Sequence, residues 1–231
     1  MKNGGSGSWW AGMFFFGVGN LVLGFVVCSG GEKNMINLPE VRHDSGVSVE
    51  RAVRSRRSHR SFADRSLSLE KTAQLLWAGQ GITGSVRRRA APSAGALYPL
   101  ELYLIADRVS GLAEGVYRYL PDYHALRPVL EKGRLREVAG AALHQNFIAG
   151  APLALVITGV EERTADKYGE RAARYVFIEA GCSAENIHLQ AEALGLGTVI
   201  VGAFHDKRLH EVLHMGENEL PLLIMPVGYV D

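Results

Sequence analysis

The sequence predicts an α+β domain, and three observations carry that expectation. Helical periodicity dominates residues 48–81, short apolar runs separated by turn residues follow from residue 102, and one long apolar helix interrupts them at residues 172–194. Of the 231 residues, 47% are apolar, which suffices for a sizeable core, and the length fits one domain plus an appendage.

The elements follow in order. Ser48 offers an N-cap to a first short helix, with Glu50 in its first turn complementing the helix dipole. Its end and the turn beyond hold Arg56-Arg57-Ser58-His59-Arg60-Ser61-Phe62. Leu69, Thr72, Ala73, Leu76 and Trp77 fall at helical spacing after Ser68, and Gly79 and Gly81 close that second helix. Residues 102–106 form a buried-strand run, entered from a loop over residues 92–99. Residues 116–120 and 125–130 read as a hairpin around Pro121-Asp122, and residues 153–157 as another strand. The helix at 172–194 is apolar on most of its circumference, with a narrow polar stripe of Glu179, Ser183, Asn186 and Gln190. Such a helix is buried on several sides, as a central element or at a subunit interface. Gly195 stops it, residues 198–201 and 222–227 add strands, and residues 209–213 are helical between them.

Residues 1–34 differ in kind. Residues 9–27 are apolar apart from glycines and Asn20, and at helical rise they span about 28 Å, close to the hydrocarbon thickness of a bilayer. Lys2 is the only charge ahead of them. The segment reads as a membrane anchor, a lipoprotein tether or a cleaved signal peptide, so the protein is expected to be membrane-anchored or exported. Translation starting at Met35 would instead leave it cytoplasmic. Residues 35–46 read as a polar linker and 47–231 as the folded domain.

The chemistry concentrates in two segments. Three guanidiniums and a hydroxyl within residues 56–60 match a dianionic phosphate, because arginine offers planar paired donors that stay charged. Pro92-Ser93-Ala94-Gly95 is a small-residue loop that lets backbone approach a flat ligand closely. Together they read as a site for a phosphorylated planar cofactor. Arg87-Arg88-Arg89 forms a second basic cluster, read as a solvated face. Nucleic acid is excluded as a partner by the net charge of +1 and by the lack of aromatic residues among the arginines.

Cys28 and Cys182 are the only cysteines, so there is no disulfide framework and no zinc-finger spacing. His210-Glu211-Val212-Leu213-His214 matches the pattern of zinc metalloproteases and offers a membrane-bound protease as a competing reading. It lacks a well-supplied third ligand, and no metal site is expected. Neither a Rossmann glycine fingerprint nor a Walker loop is present, so a nicotinamide nucleotide would visit only as a substrate.

Taken together, these segments resemble the nitroreductase superfamily of FMN-dependent oxidoreductases and, within it, the SagB-type azoline dehydrogenase branch. The resemblance covers roughly residues 47–229. It rests on the arginine run, on the loop from Ala91 to Glu101, on Lys167-Tyr168-Gly169-Glu170-Arg171, on the helix from Arg174 to Asn186, and on Ala193-Leu194-Gly195-Leu196-Gly197 through Gly202. It implies a mixed, mostly antiparallel sheet flanked by helices, in a homodimer with a long buried central helix and two FMN sites built from both chains. By the same resemblance Arg56, Arg57, Ser58 and Arg60 hold the FMN phosphate and ribityl chain. Pro92, Ser93, Ala94 and Gly95 line the ring, with Ala96 from the partner's loop. Val201 and Gly202 present backbone groups to the redox edge, and Lys167 and Tyr168 form the catalytic pair. Ala96 stands where many nitroreductases have asparagine.

The function expected is therefore hydride transfer between NAD(P)H, or a small-molecule or peptide substrate, and flavin. Dehydrogenation of a peptide azoline is the branch-specific alternative, and a flavin electron-relay subunit is an alternative of another class.

Overall fold

The computed structural model describes residues 35–84 and 86–230. The apolar run at 9–27, read as anchor or signal peptide, lies outside the described residues. Among those described, no helix is long and apolar enough to cross a membrane.

The elements are β1 (Ile36–Asn37), α1 (Val49–Ser55), β2 (Leu67–Ser68), α2 (Leu69–Gln80), β3 (Ile82–Thr83) and β4 (Arg88–Arg89). Then come β5 (Leu100–Ala106), β6 (Val109–Ser110), β7 (Gly115–Leu120), β8 (Ala125–Glu131), α3 (Leu135–Ala141) and α4 (Phe147–Gly150). The chain finishes with β9 (Leu153–Gly159), α5 (Glu162–Tyr168), α6 (Ala172–Ala193), β10 (Gly197–Thr198), α7 (Asp206–Leu213) and β11 (Leu220–Gly228). Seven strands form one antiparallel sheet in the order β1-β8-β7-β5-β9-β11-β10, while β2 and β6 pair in parallel beside it. The fold is thus α+β, with a mostly antiparallel sheet flanked by helices.

Side chains alternate across a strand, and here both faces are covered. Leu102, Leu104, Leu155, Ile157 and Met225 point to one face, where they pack on Leu75 and Leu76 of α2 and Ala184 and Ile187 of α6. Tyr103, Ile105, Ala154, Val156 and Ile224 point to the other, against Leu135 and Val138 of α3 and Leu209 and Leu213 of α7. Burial on both sides is why these strands read as continuous apolar runs rather than alternating ones.

Helix signals work where a cap exists. Ser48 and Ser68 accept hydrogen bonds from the Arg51 and Lys71 amides, and Gly195 at φ 68° ends α6 with the Leu196 amide returning to the Ala191 carbonyl. Helices α3, α4 and α5 escaped the sequence reading. None has more than seven residues or a side-chain N-cap, and helices that short are held by packing rather than by propensity.

Two expectations change. The segment at 35–46 is not a free linker: β1 pairs with β8, Leu38 is buried, and the Arg42 amide donates to Gln74 Oε1 at 2.8 Å. The polar stripe of α6 faces inward. Ser183 Oγ donates to the Gly79 carbonyl at 2.9 Å, Asn186 Nδ2 to the Ala90 carbonyl at 3.2 Å, and Gln74 Nε2 to Gln190 Oε1 at 3.3 Å. Phe177 and Ile178, by contrast, are 56% and 54% exposed, so that part of the apolar surface of α6 lacks cover in a single chain, while Val176, Ala180, Ala184, Ile187 and Ala191 are buried.

Candidate active site

Residues 56–60 leave the end of α1 and lie along β10. Ser58 pairs with Thr198, and the His59 amide donates to the Thr198 carbonyl at 2.9 Å. Gly197 permits this approach, because a Cβ there would stand 2.9 Å from His59 Cβ. His188 of α6 donates from Nε2 to the Arg57 carbonyl at 2.9 Å, and Glu185 reaches to 3.7 Å from Arg56 Nε. A carbonyl only accepts, so that His188 contact requires the proton on Nε2. Arg57 and Arg60 are exposed, and Arg57 Nη1 donates to the Ser55 carbonyl at 3.0 Å. Among the described residues, the three guanidiniums thus meet a single half-exposed carboxylate, 3.7 Å from one of them. That surplus of planar cationic donors fits the phosphate of a nucleotide-like cofactor.

The chain continues from β10 to Val201 and Gly202. Val201 exchanges both backbone hydrogen bonds with Ile224, each at 2.9 Å. Its amide is committed within the sheet, which leaves exposed Gly202 as the candidate of that pair to face a ligand.

The second group forms around the loop at 92–98. The loop makes a single 3-10 turn, Ala94–Ala96, within which the backbone is left-handed at Gly95 (φ 64°) and Ala96 (φ 56°), as it is again at Tyr98 (φ 49°). The Ala94 amide donates to Glu179 Oε1 at 2.7 Å, and the Tyr98 amide to Ser93 Oγ at 2.9 Å. Burial raises the Glu179 carboxyl above its ordinary value, against the opposing pull of the Ala94 amide and the Ser93 hydroxyl. Lys167 and Tyr168, at the end of α5, stand directly on this loop. A Cβ built on Gly95 would lie 2.7 Å from Lys167 Nζ and 3.1 Å from Tyr168 Oη. The Tyr168 ring in turn leans on Tyr175 of α6, with centroids 4.5 Å apart.

Helix α6 connects the two groups. Glu179 holds the loop, while Glu185 and His188, six and nine residues further on, touch the arginine run. At helical rise that offset is about 9–14 Å within one chain. Arg163, one turn before Lys167, ties α5 to the same loop by donating to the Tyr98 carbonyl at 3.0 Å and to Glu101 Oε1 at 2.5 Å. Sequence reading saw Glu179 only as part of a stripe and did not single out His188 or Arg163. The i, i+4 spacing of Arg163 and Lys167 was the one available signal.

Two readings are corrected. Arg89 does not belong to a solvated face: it is half-buried, donates to the Gln80 carbonyl at 3.2 Å and stacks over the Tyr98 ring. The His210–His214 pattern does not present two histidines on one helix, since α7 ends at Leu213 and His214 turns left-handed at φ 48°. His210 Nε2 donates to the Gly216 carbonyl at 2.8 Å, and among the described residues no three His, Cys, Asp or Glu side chains gather as metal ligands. A cavity of about 500 Å³ between residues 42–49 and helices α1, α2 and α6 touches none of the predicted site residues.

The Nitroreductase family model matches residues 53–229. The chain belongs to that family. MJ1384 of Methanocaldococcus jannaschii, named for a nitroreductase, is 42% identical over 198 residues, which are 86% of this chain and 98% of that protein. The crystal structure of a Ralstonia eutropha JMP134 protein, also described as a nitroreductase, superposes with a TM-score of 0.76 at 30% identity, covering 87% of this chain and 92% of that one. The microcin B17-processing protein McbC of Escherichia coli is 31% identical over 157 residues, 64% of this chain and 56% of its own length. Family membership makes an oxidoreductase of the chain, and flavin is the cofactor that proteins of this family typically bind.

Proposed function

We propose that the chain is an FMN-dependent oxidoreductase that exchanges a hydride between flavin and NAD(P)H or an organic substrate, acting as a homodimer. The observation that carries this reading is the contact of Lys167 and Tyr168 with Gly95, in the loop expected to line the ring. Arg56, Arg57 and Arg60, with the Ser58 hydroxyl, would hold the phosphate. Pro92, Ser93, Ala94, Gly95 and Ala96 would lie along the ring, and the Gly202 amide would donate to its redox edge. FMN, when bound, supplies the two-electron hydride chemistry. Val49 and Val53 on α1, and Phe177 and Ile178 on α6, are large apolar side chains left exposed, and that exposure supports a second copy.

A second reading, azoline dehydrogenation of a peptide, is favoured by the same lysine and tyrosine and by the similarity to a microcin-processing protein. In that version Lys167 accepts the proton that leaves the substrate carbon opposite the hydride, and Tyr168 orients the substrate. If residues 9–27 stay on the protein, they tether this activity to a membrane.

Purified full-length protein is expected to be yellow and to release FMN on denaturation. Lys167→Ala should keep its FMN and its reduction of quinones, while losing oxidation of a carbon-acid substrate. A colourless folded protein that refuses added FMN refutes the reading. Loss of FMN in Lys167→Ala refutes the placement of that lysine.

A further inference from the structure

Outside the candidate active site, a cavity of about 360 Å³ opens between the β7–β8 turn, β4 and α5. Four arginines, Arg89, Arg118, Arg127 and Arg163, face it with the carboxylates of Glu101 and Asp122. Both carboxylates are already taken. Glu101 Oε1 lies 2.8 Å from Arg118 Nη2 and 2.5 Å from Arg163 Nη2, and Asp122 is paired with Arg87. Arg118 is saturated further by Glu219 at 3.1 Å. Among the described residues, neither Arg89 nor Arg127 has a carboxylate within ion-pair distance.

Arg89 is the telling one. A half-buried guanidinium that makes no direct ion pair is costly to keep, and such groups are ordinarily paired. Burial is the main influence on Arg89 and pulls its pKa below the usual arginine value, against the weaker opposing pull of the Asp122 and Glu101 carboxylates. Its side chain is nevertheless well positioned: one Nη bonds the Gln80 carbonyl and the plane rests on the Tyr98 ring. Arg89, so positioned, and the exposed Arg127 put two planar donors on the lining of a cavity of small-ligand size, which matches a carboxylate or a phosphate group. The cavity also adjoins the candidate active site. Tyr98, under Arg89 and bonded by Arg163, is three residues from Gly95, so their Cα atoms are within about 11 Å of each other.

We propose that this cavity is an anion subsite in which Arg89 and Arg127 seat a carboxylate or phosphate of the molecule that exchanges hydride next door. The anion-binding part stands on the cavity alone; its link to turnover rests on the proposed function. The source is either a nucleotide donor, through its phosphate, or an organic or peptide substrate, through its carboxylate.

Isothermal titration of the full-length protein as purified, with pyrophosphate and separately with glutarate, tests this and tells the sources apart. At least one probe should bind, and Arg89→Gln/Arg127→Gln should weaken that probe by about tenfold or more, the effect of losing a charge-assisted hydrogen bond. Tight pyrophosphate alone points to a nucleotide, and glutarate to a carboxylate substrate. Arg127→Gln, a change at an exposed side chain, serves as the single variant should the double variant fail to fold, and it should still weaken the bound probe by about threefold or more. Because pyrophosphate can also meet the arginine run, Arg57→Ala is titrated alongside to identify that second binding event, and only an event weakened by Arg127→Gln counts for the subsite. If neither probe binds, or if the variants bind as the parent does, the subsite is refuted, whether or not the protein carries flavin. A colourless protein that still binds a probe through Arg89 and Arg127 refutes only the flavin reading.

Discussion

Replacing Gly95 by alanine probes the junction of the loop and the proposed catalytic pair, Lys167 and Tyr168. Two costs can be separated. The first is backbone: Gly95 sits at φ 64°, where a Cβ costs roughly 1–2 kcal/mol. The second is steric: the new methyl would lie 2.7 Å from Lys167 Nζ, 3.1 Å from Lys167 Cδ and 3.1 Å from Tyr168 Oη. Nζ is the end of a flexible side chain, so Lys167 can swing aside at little energetic cost but leaves its place. The stability loss should therefore stay near the backbone figure, a fall of about 2–8 °C in Tm for a domain of this size. The loss in turnover should be larger. A displacement of about 1 Å at a proton-handling group costs about 100-fold. Gly95→Asn separates the two, because asparagine tolerates the left-handed region yet still crowds Lys167. Thermal unfolding by circular dichroism and substrate oxidation would be followed on both variants. Gly95→Asn should regain part of the stability and none of the activity. An alanine variant as stable as the parent would refute the backbone argument, and a fully active asparagine variant would refute the placement of Lys167.

Other outcomes follow from the same geometry. Arg57→Ala and Arg60→Ala should each weaken FMN binding by about 1.5–3 kcal/mol, read by flavin fluorescence, whereas exposed Arg88→Ala should not. Glu179→Ala leaves the Ala94 amide without its acceptor and should cost about 1–3 kcal/mol in urea unfolding. Glu179→Gln keeps an acceptor and removes the titration. The folded carboxyl is raised above its ordinary 4.5, so its contribution is fully present below that pH and fades as pH rises through the folded value. Wild-type stability should fall across that window relative to Glu179→Gln, and parallel pH profiles would refute the assignment.

Some features of this protein are local, and these were legible in the chain. Serine caps at 48 and 68, glycine at 195 and the apolar strand runs specify α1, α2, α6 and the central strands through contacts a few residues apart. The arginine run and the loop at 92–98 point by composition to a phosphorylated planar ligand, and the proposed function builds on that reading. Pairing and partnership are not local. Val201 has its amide consumed by Ile224, and Arg89 passes from a solvated run to a half-buried stack on Tyr98. The apolar circumference of α6 suggested which side would be buried. The fold buries Val176, Ala180, Ala184 and Ile187 against the sheet but also turns Glu179, Ser183, Asn186 and Gln190 inward, because the unpaired backbone groups of the loop and of the end of α2 need partners there. Periodicity reports how much apolar surface a helix carries. Which face meets which neighbour is decided by the hydrogen bonds that the tertiary structure must satisfy.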